Sequence, residues 1–288
     1  ILTGLATFAM VGPGSPQVQN LIPATALGTS PTSGLIPGII GMIFIIVASL
    51  AYLNSAITKA KARGEIFKYG PNDTPDESIK EGPKFILSII PLITVFSLFN
   101  IFKLHIIASL TIGIILSLIF FYKFLGGNIA SVQKTLNAGA IASAAAVLNV
   151  SAMVGFGGVV QASPAFQVAV TTMTGLGGNP LLISSLAVAG IAGITGSASG
   201  GLGIAVPLLA PIFVDQMGVN ASALHRVISF ASSSLDTLPS NGALIMLFTY
   251  CGLTHKESYK PTAVVTVLIT GIATLLVLGL LLIFPGLA

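Results

Sequence analysis

The sequence predicts an all-α polytopic membrane protein, and three observations carry that reading. Charged residues make up 7% of the 288-residue chain, against about 25% in an ordinary soluble domain. Hydrophobic residues reach 54%, and mean hydropathy is +0.99. Apolar runs recur at about 35–53, 85–102, 104–122, 135–160, 226–248 and 261–284, each close to the ~20 residues that a bilayer-crossing helix requires. A soluble chain could not cover such a core with so few polar side chains.

The elements follow in order. The chain begins at Ile1 inside an apolar segment, with neither an initiator Met nor a charged leader, so it reads as a fragment of a longer protein. Ile1–Val11 is only about half a span and stops at "GPGSPQVQN", Gly12–Asn20. A Pro/Gly/Thr-rich stretch leads to a helix ending near Leu53. Residues 1–53 are therefore expected to form a broken helix plus the helix after it. The connection 54–84 holds Lys59, Lys61, Arg63, Lys68, Lys80 and Lys84, and the connection 122–134 holds Lys123 and Lys134. The turn between them has only Lys103. By the positive-inside rule, loop 54–84 faces the cytoplasm of a cell (inner) membrane.

Residues 85–288 are expected to form the second repeat. Within about 164–214, two apolar arms (181–195 and 204–214) flank "GSASGGLG", Gly196–Gly203. The second arm is too short to cross alone, which predicts a re-entrant hairpin. Span 226–248 contains "LDTLPSNGA" and is expected to break there; helix 261–284 follows. The broken segment near residues 12–34 would then run opposite to the broken span 226–248. Inverted repeats with interrupted helices mark secondary transporters.

A broken helix in hydrocarbon leaves unpaired N–H and C=O groups, tolerated only when buried in protein or lining a wet cavity. Its N–H end favours anions, and its carbonyl end suits protons or cations. Three irregular stretches carry small hydrogen-bonding side chains: Ser15, Gln17, Gln19 and Asn20; Ser197 and Ser199 beside Gly200 and Gly201; Asp236, Thr237, Ser240 and Asn241. Such groups fit a polyhydroxylated ligand. No Lys or Arg lies within them, so helix ends would have to supply any positive field. Asp236 is the only carboxylate inside an expected span, and intramembrane acids mark ion or proton pathways. Carrying an anion inward against −100 mV costs roughly 2.3 kcal/mol, which a co-transported proton cancels.

Plainer readings compete. Pro239 alone could merely kink the helix, Asp236 could cap it, and the Gly/Ser run could be close helix packing. His225 and Arg226 read as a membrane boundary. The single Cys251 excludes an intrachain disulfide, and His105, His225 and His255 have no metal-ligand spacing. The Gly/Ser run lacks the lysine of a phosphate loop. No metal and no cofactor are therefore expected. The pI near 9.3 reflects basic connections, so nucleic acid is not an expected partner. Homo-oligomer formation stays open.

"GPGSPQVQNLIP" (Gly12–Pro23), "GSASGGLGIAVPLLAPIF" (Gly196–Phe213), "LDTLPSNGA" (Leu235–Ala243) and "GLTHKESYK" (Gly252–Lys260) together resemble the gluconate permease (gluconate:proton symporter) family. The resemblance covers the whole chain and matches about the last two-thirds of a typical member. It implies uptake of gluconate or a related small hydroxy-carboxylate with protons. It also implies a site at Ser15–Asn20, Ser197–Gly201 and Asp236–Asn241. Family members commonly carry His where this chain has Ser240, and relatives handle other sugar acids, D-serine or hydroxybutyrate. Sodium coupling is the alternative to protons. A scaffold or channel subunit is a further alternative. An intramembrane enzyme using Ser234 or Ser240 with His255 and Asp236 is disfavoured, because about 14 residues of helix beyond Asn241 would put His255 about 20 Å away.

Overall fold

The computed structural model describes residues 7, 10–66, 82–164, 168 and 178–288. They form helices, with no strand among them, and the protein is an all-α polytopic membrane protein. Among the described residues, three helices are long and apolar enough to cross a bilayer: Leu35–Ala62, Ala198–Gln216 and His255–Ile283. Ile1–Thr74 with Met153–Ala288 make one compact unit, and Pro75–Ala152 make a second.

In the first unit, α1 (Val18–Leu27) starts after Gln17, and Gly28 ends it at a left-handed φ of 62°. Helix α2 (Leu35–Ala62) has 28 residues, about 42 Å at 1.5 Å per residue. It exceeds the ~30 Å hydrocarbon core, so the connection expected from residue 54 starts only after Ala62. Hydropathy falls at Asn54 and hides this, because the helix simply continues into a polar last turn with Lys59 and Lys61. Its buried stripe, Gly38, Gly41, Ile45, Ser49 and Leu53, recurs at the three-to-four-residue helical spacing. The opposite side, with Ile43, Val47 and Leu50, is exposed and suits lipid.

Helix α3 (Phe85–Asn100) and α4 (Ile106–Phe121) form a helical hairpin in the second unit. A Cβ on Gly113 would lie 2.3 Å from Val95, so only glycine permits that approach. Helix α5 is Ile129–Gln161. Most of the stretch 164–177, assigned from sequence to the start of the re-entrant hairpin, lies outside the described residues, as do residues 67–81 of the basic connection.

The hairpin itself is formed by α6 (Pro180–Thr195) and α7 (Ala198–Ala210), and α7 continues as a wider-wound turn over Pro211–Gln216. Here the structure corrects the sequence reading. The tip expected over 196–203 shrinks to Gly196 and Ser197, and the second arm reaches 19 residues, so its length no longer argues for re-entry. The cause is local: Ser197 caps α7 by accepting from Gly200 N–H, and Gly201 presses against Ala192, where a Cβ would sit 2.7 Å away.

Helix α8 (Ala221–Ser232) is the centre of this unit. Every residue from Ala223 to Ser232 is buried, and α8 packs on α1, α6 and the terminal helix. Within 226–248 the helix is interrupted: α8 ends at Ser232, and α9 (Gly242–Tyr250) begins after Asn241. Helix α10 (His255–Ala263) runs through a wider-wound stretch at Val264–Leu268 into α11 (Ile269–Ile283). Helices pack here without hydrophobic drive, since lipid is as apolar as the core; close fit and polar contacts do that work.

Candidate functional site

The break at Ser233–Asn241 has its loose backbone ends tied off by side chains. A helix leaves its last four carbonyls unpaired; at the end of α8, the hydroxyl of Ser232 donates to Ser229 O and that of Ser234 to Ala231 O, at 2.8 and 2.7 Å. At the start of α9, Asn241 Oδ1 accepts from Leu244 N–H at 2.7 Å, a standard asparagine cap. The Nδ2 of the same side chain donates to Asp236 O and to Gly196 O, both at 2.8 Å. Gly196 is the left-handed residue that closes α6. One asparagine thus joins the break to the hairpin tip.

Inside the break, Asp236 is half-buried. Thr237 donates to Thr266 Oγ1 at 2.6 Å, in the wider-wound stretch of the terminal helix, a feature frequent at functional sites. Pro239 and Ser240 are exposed. His255 Nε2 lies 3.1 Å from Pro239 O; a carbonyl only accepts, so the ring proton sits on Nε2. The expected 20 Å separation is overturned. Helix α9 has only nine residues, and the chain turns at Cys251–Thr254, which brings His255 back to the break.

The stretch 11–34 is organised by a residue that the sequence reading placed at a membrane boundary. Arg226 and His225 are both 0% exposed. Arg226 Nη1 donates to Val11 O at 2.8 Å and Asn20 Oδ1 at 2.9 Å. Its Nη2 donates to Pro31 O and Ser33 O, and Nε also donates to Ser33 O. All five guanidinium N–H groups have neutral oxygen acceptors, and among the described residues no carboxylate pairs with it. Gly34 and Gly38 make room, since a Cβ on Gly34 would lie 2.6 Å from Arg226 Cβ. His225 Nδ1 pairs with Thr29 Oγ1 at 2.7 Å, and Ser229 donates to Gln19 O. A cation does stand beside the first irregular stretch, contrary to expectation. Position 226 opens the apolar run, and a hydropathy profile cannot distinguish a span's end from a side chain turned inward.

The twelve candidate residues fare unequally. Asn20 is wholly engaged: besides accepting from Arg226, it donates to Met10 O and Gly12 O. Gln19 is buried, and its Oε1 has no partner among the described residues. Ser15 is half-buried, while Gln17 is exposed and makes no capping bond. At the hairpin tip, Ser197 and Ser199 hydroxyls lie 2.9 Å apart. Gly200 N–H donates to Ser197 Oγ, and Gly201 is a packing glycine. The structure joins the tip to the break through Asn241, and α1 packs on α7 and α8. All three stretches therefore belong to one cluster of elements, although Gln17 turns away from it. Sequence reasoning missed Arg226, Ser229, Thr266 and the contact of His255.

One curated protein is similar over nearly the whole chain: the uncharacterized transporter YxjC of Bacillus subtilis (strain 168). It is 31% identical over 317 aligned residues, which cover 94% of this chain and 66% of that protein. The chain is similar to that transporter. It spans just under two-thirds of the relative's length. No family model matches the chain, and no solved structure matches it. The relative's name supports transport as a class and says nothing of gluconate, of a coupling ion or of membrane orientation.

Proposed function

We propose that this chain is the core of a secondary active transporter, which carries a small hydroxy-carboxylate such as gluconate inward with protons. The observation that carries the reading is the bond of Asn241 to both Gly196 O and Asp236 O. It ties a hairpin tip to a helix break that holds an acid. Irregular backbone at membrane depth belongs to binding sites and cavities. A tip fastened to a mid-span break lies within the bilayer, which supports re-entry of the hairpin on grounds other than its length. The small hydroxyl and amide groups suit a polyhydroxylated ligand. Arg226 supplies the positive field that the sequence lacked, acting at a distance because its own donors are engaged.

In this reading Asp236 carries the coupling proton and the basic connection after Ala62 faces the cytoplasm. A sodium-coupled permease for hydroxybutyrate or D-serine is the second reading. It is favoured by Ser240, a hydroxyl where the resembled family carries an ionisable His, and by the carbonyls and hydroxyls around the break. The test is uptake into liposomes holding the purified protein, with gluconate, other sugar acids, hydroxybutyrate and D-serine, each under an inward proton or sodium gradient. Saturable uptake of one of them is the expected result. No uptake across the panel, or a steady conductance without saturation, would sink the proposal.

A further inference from the structure

Two cavities of the first unit share one residue and differ in chemistry. The first, about 620 Å³, lies between the end of α2 and the start of α10, and Lys59, Arg63 and Lys260 line it with the apolar Leu53 and Ile57. Two carboxylates also line it, so its three cations leave one positive charge in excess. Glu65 accepts from Arg63 Nε at 2.6 Å, and Glu257 accepts from Thr254 N and Oγ1 at 2.9 and 2.6 Å. Lys59 and Lys260 are exposed and have no ion pair among the described residues. The second cavity, about 650 Å³, starts at Tyr259 and Lys260 and follows the outer face of α10 and α11 past Leu268 and Gly271 to Leu275. Beyond Lys260 its walls are hydrocarbon, with Leu268 and Leu275 57% and 62% exposed.

Tyr259 to Leu275 spans about 24 Å along a helix, enough to run from headgroup level through one leaflet of a ~30 Å core. The cationic end is at a membrane face, since Lys59, Lys61 and Arg63 close α2 while Lys256 and Lys260 open α10. Tyr52 lines the first cavity and Tyr259 the second, and tyrosines are enriched at membrane interfaces. A cationic cup continuous with an apolar trough matches one kind of molecule, an anion with an attached acyl chain. We propose that this is a binding site for an anionic phospholipid, with its phosphate between Lys59 and Lys260 and one acyl chain along the α10–α11 groove. Basic pockets between membrane helices take such headgroups. The competing account is that these lysines only snorkel to the interface, which predicts no preference among lipids.

The test is native mass spectrometry of the purified chain in detergent, titrated with phosphatidylglycerol or phosphatidylcholine. Phosphatidylglycerol is expected to bind about tenfold or more tightly than phosphatidylcholine. That preference should vanish in the double variant Lys59→Ala/Lys260→Ala and survive in Lys103→Ala/Lys123→Ala, which removes equal charge from the second unit. Gly271→Phe tests the trough independently of charge: a Cβ there meets nothing within 4 Å, and the ring should weaken phosphatidylglycerol binding while an unchanged unfolding midpoint shows that the fold is kept. A preference that is absent in the unaltered protein, or unchanged in Lys59→Ala/Lys260→Ala, would overturn the proposal. So would displacement of the lipid by an equal concentration of glycerol phosphate, because binding would then need no acyl chain.

Discussion

Arg226 is the residue on which the first irregular stretch depends. A cation at zero exposure is costly unless its donors are satisfied, and here five bonds reach back across Val11, Asn20, Pro31 and Ser33. Arg226→Leu would strand those acceptors in a dry interior. We expect a loss of about 3–5 kcal/mol, read as a lower unfolding temperature in lipid–detergent micelles. Arg226→Lys keeps the charge and loses the fork of donors, so a smaller loss is expected. An unchanged midpoint for Arg226→Leu would show that the stretch holds itself. At this scale the sequence was partly legible. The chemistry of Asp236 and Asn241 stood out because polar groups in an apolar run need a reason. The role of Arg226 did not, since its partners lie about 200 positions away in the chain and four of its five bonds go to backbone carbonyls that every residue possesses.

At the scale of elements, the junction of hairpin and break makes two predictions. Gly201→Ala would place a methyl 2.7–2.9 Å from the side chain and backbone of Ala192, so α6 and α7 must part. Overpacking of this kind costs about 1–3 kcal/mol. Gly190→Ala, on the same hairpin with nothing within 4 Å, should be neutral or slightly stabilising. Equal midpoints for the two variants in thermal unfolding would refute the close approach. Asn241→Ala removes the cap of α9, about 1 kcal/mol, and also frees Gly196 O. Its unfolding midpoint should therefore fall further than that of Asn179→Ala, which removes a cap bond alone. The helix break was legible because Pro239 cannot continue a helix and Asn241 is a strong cap. The start of α7 was not, because Ser, Gly and Gly have loop character in water, whereas here burial against Ala192 decides. The basic connection was placed too early for a related reason: a polar helical turn and a loop look alike to hydropathy.

For the whole molecule, membrane character followed from composition alone, because 7% charge leaves no other solvent for this surface. The inverted repeat and the substrate rest on topology and resemblance, and transport is the claim that binds them together. Asp236 is where that claim is most exposed, as the acid set within the break. The most direct measurement compares gluconate accumulation in proteoliposomes holding the unaltered protein and Asp236→Asn, with an inward proton gradient and with a protonophore. The account predicts saturable accumulation above equilibrium by the unaltered protein, abolished by protonophore and by Asp236→Asn, which should still exchange internal for external gluconate. Equal accumulation by both proteins would reduce Asp236 to a cap, and none by either would contradict gluconate:proton symport.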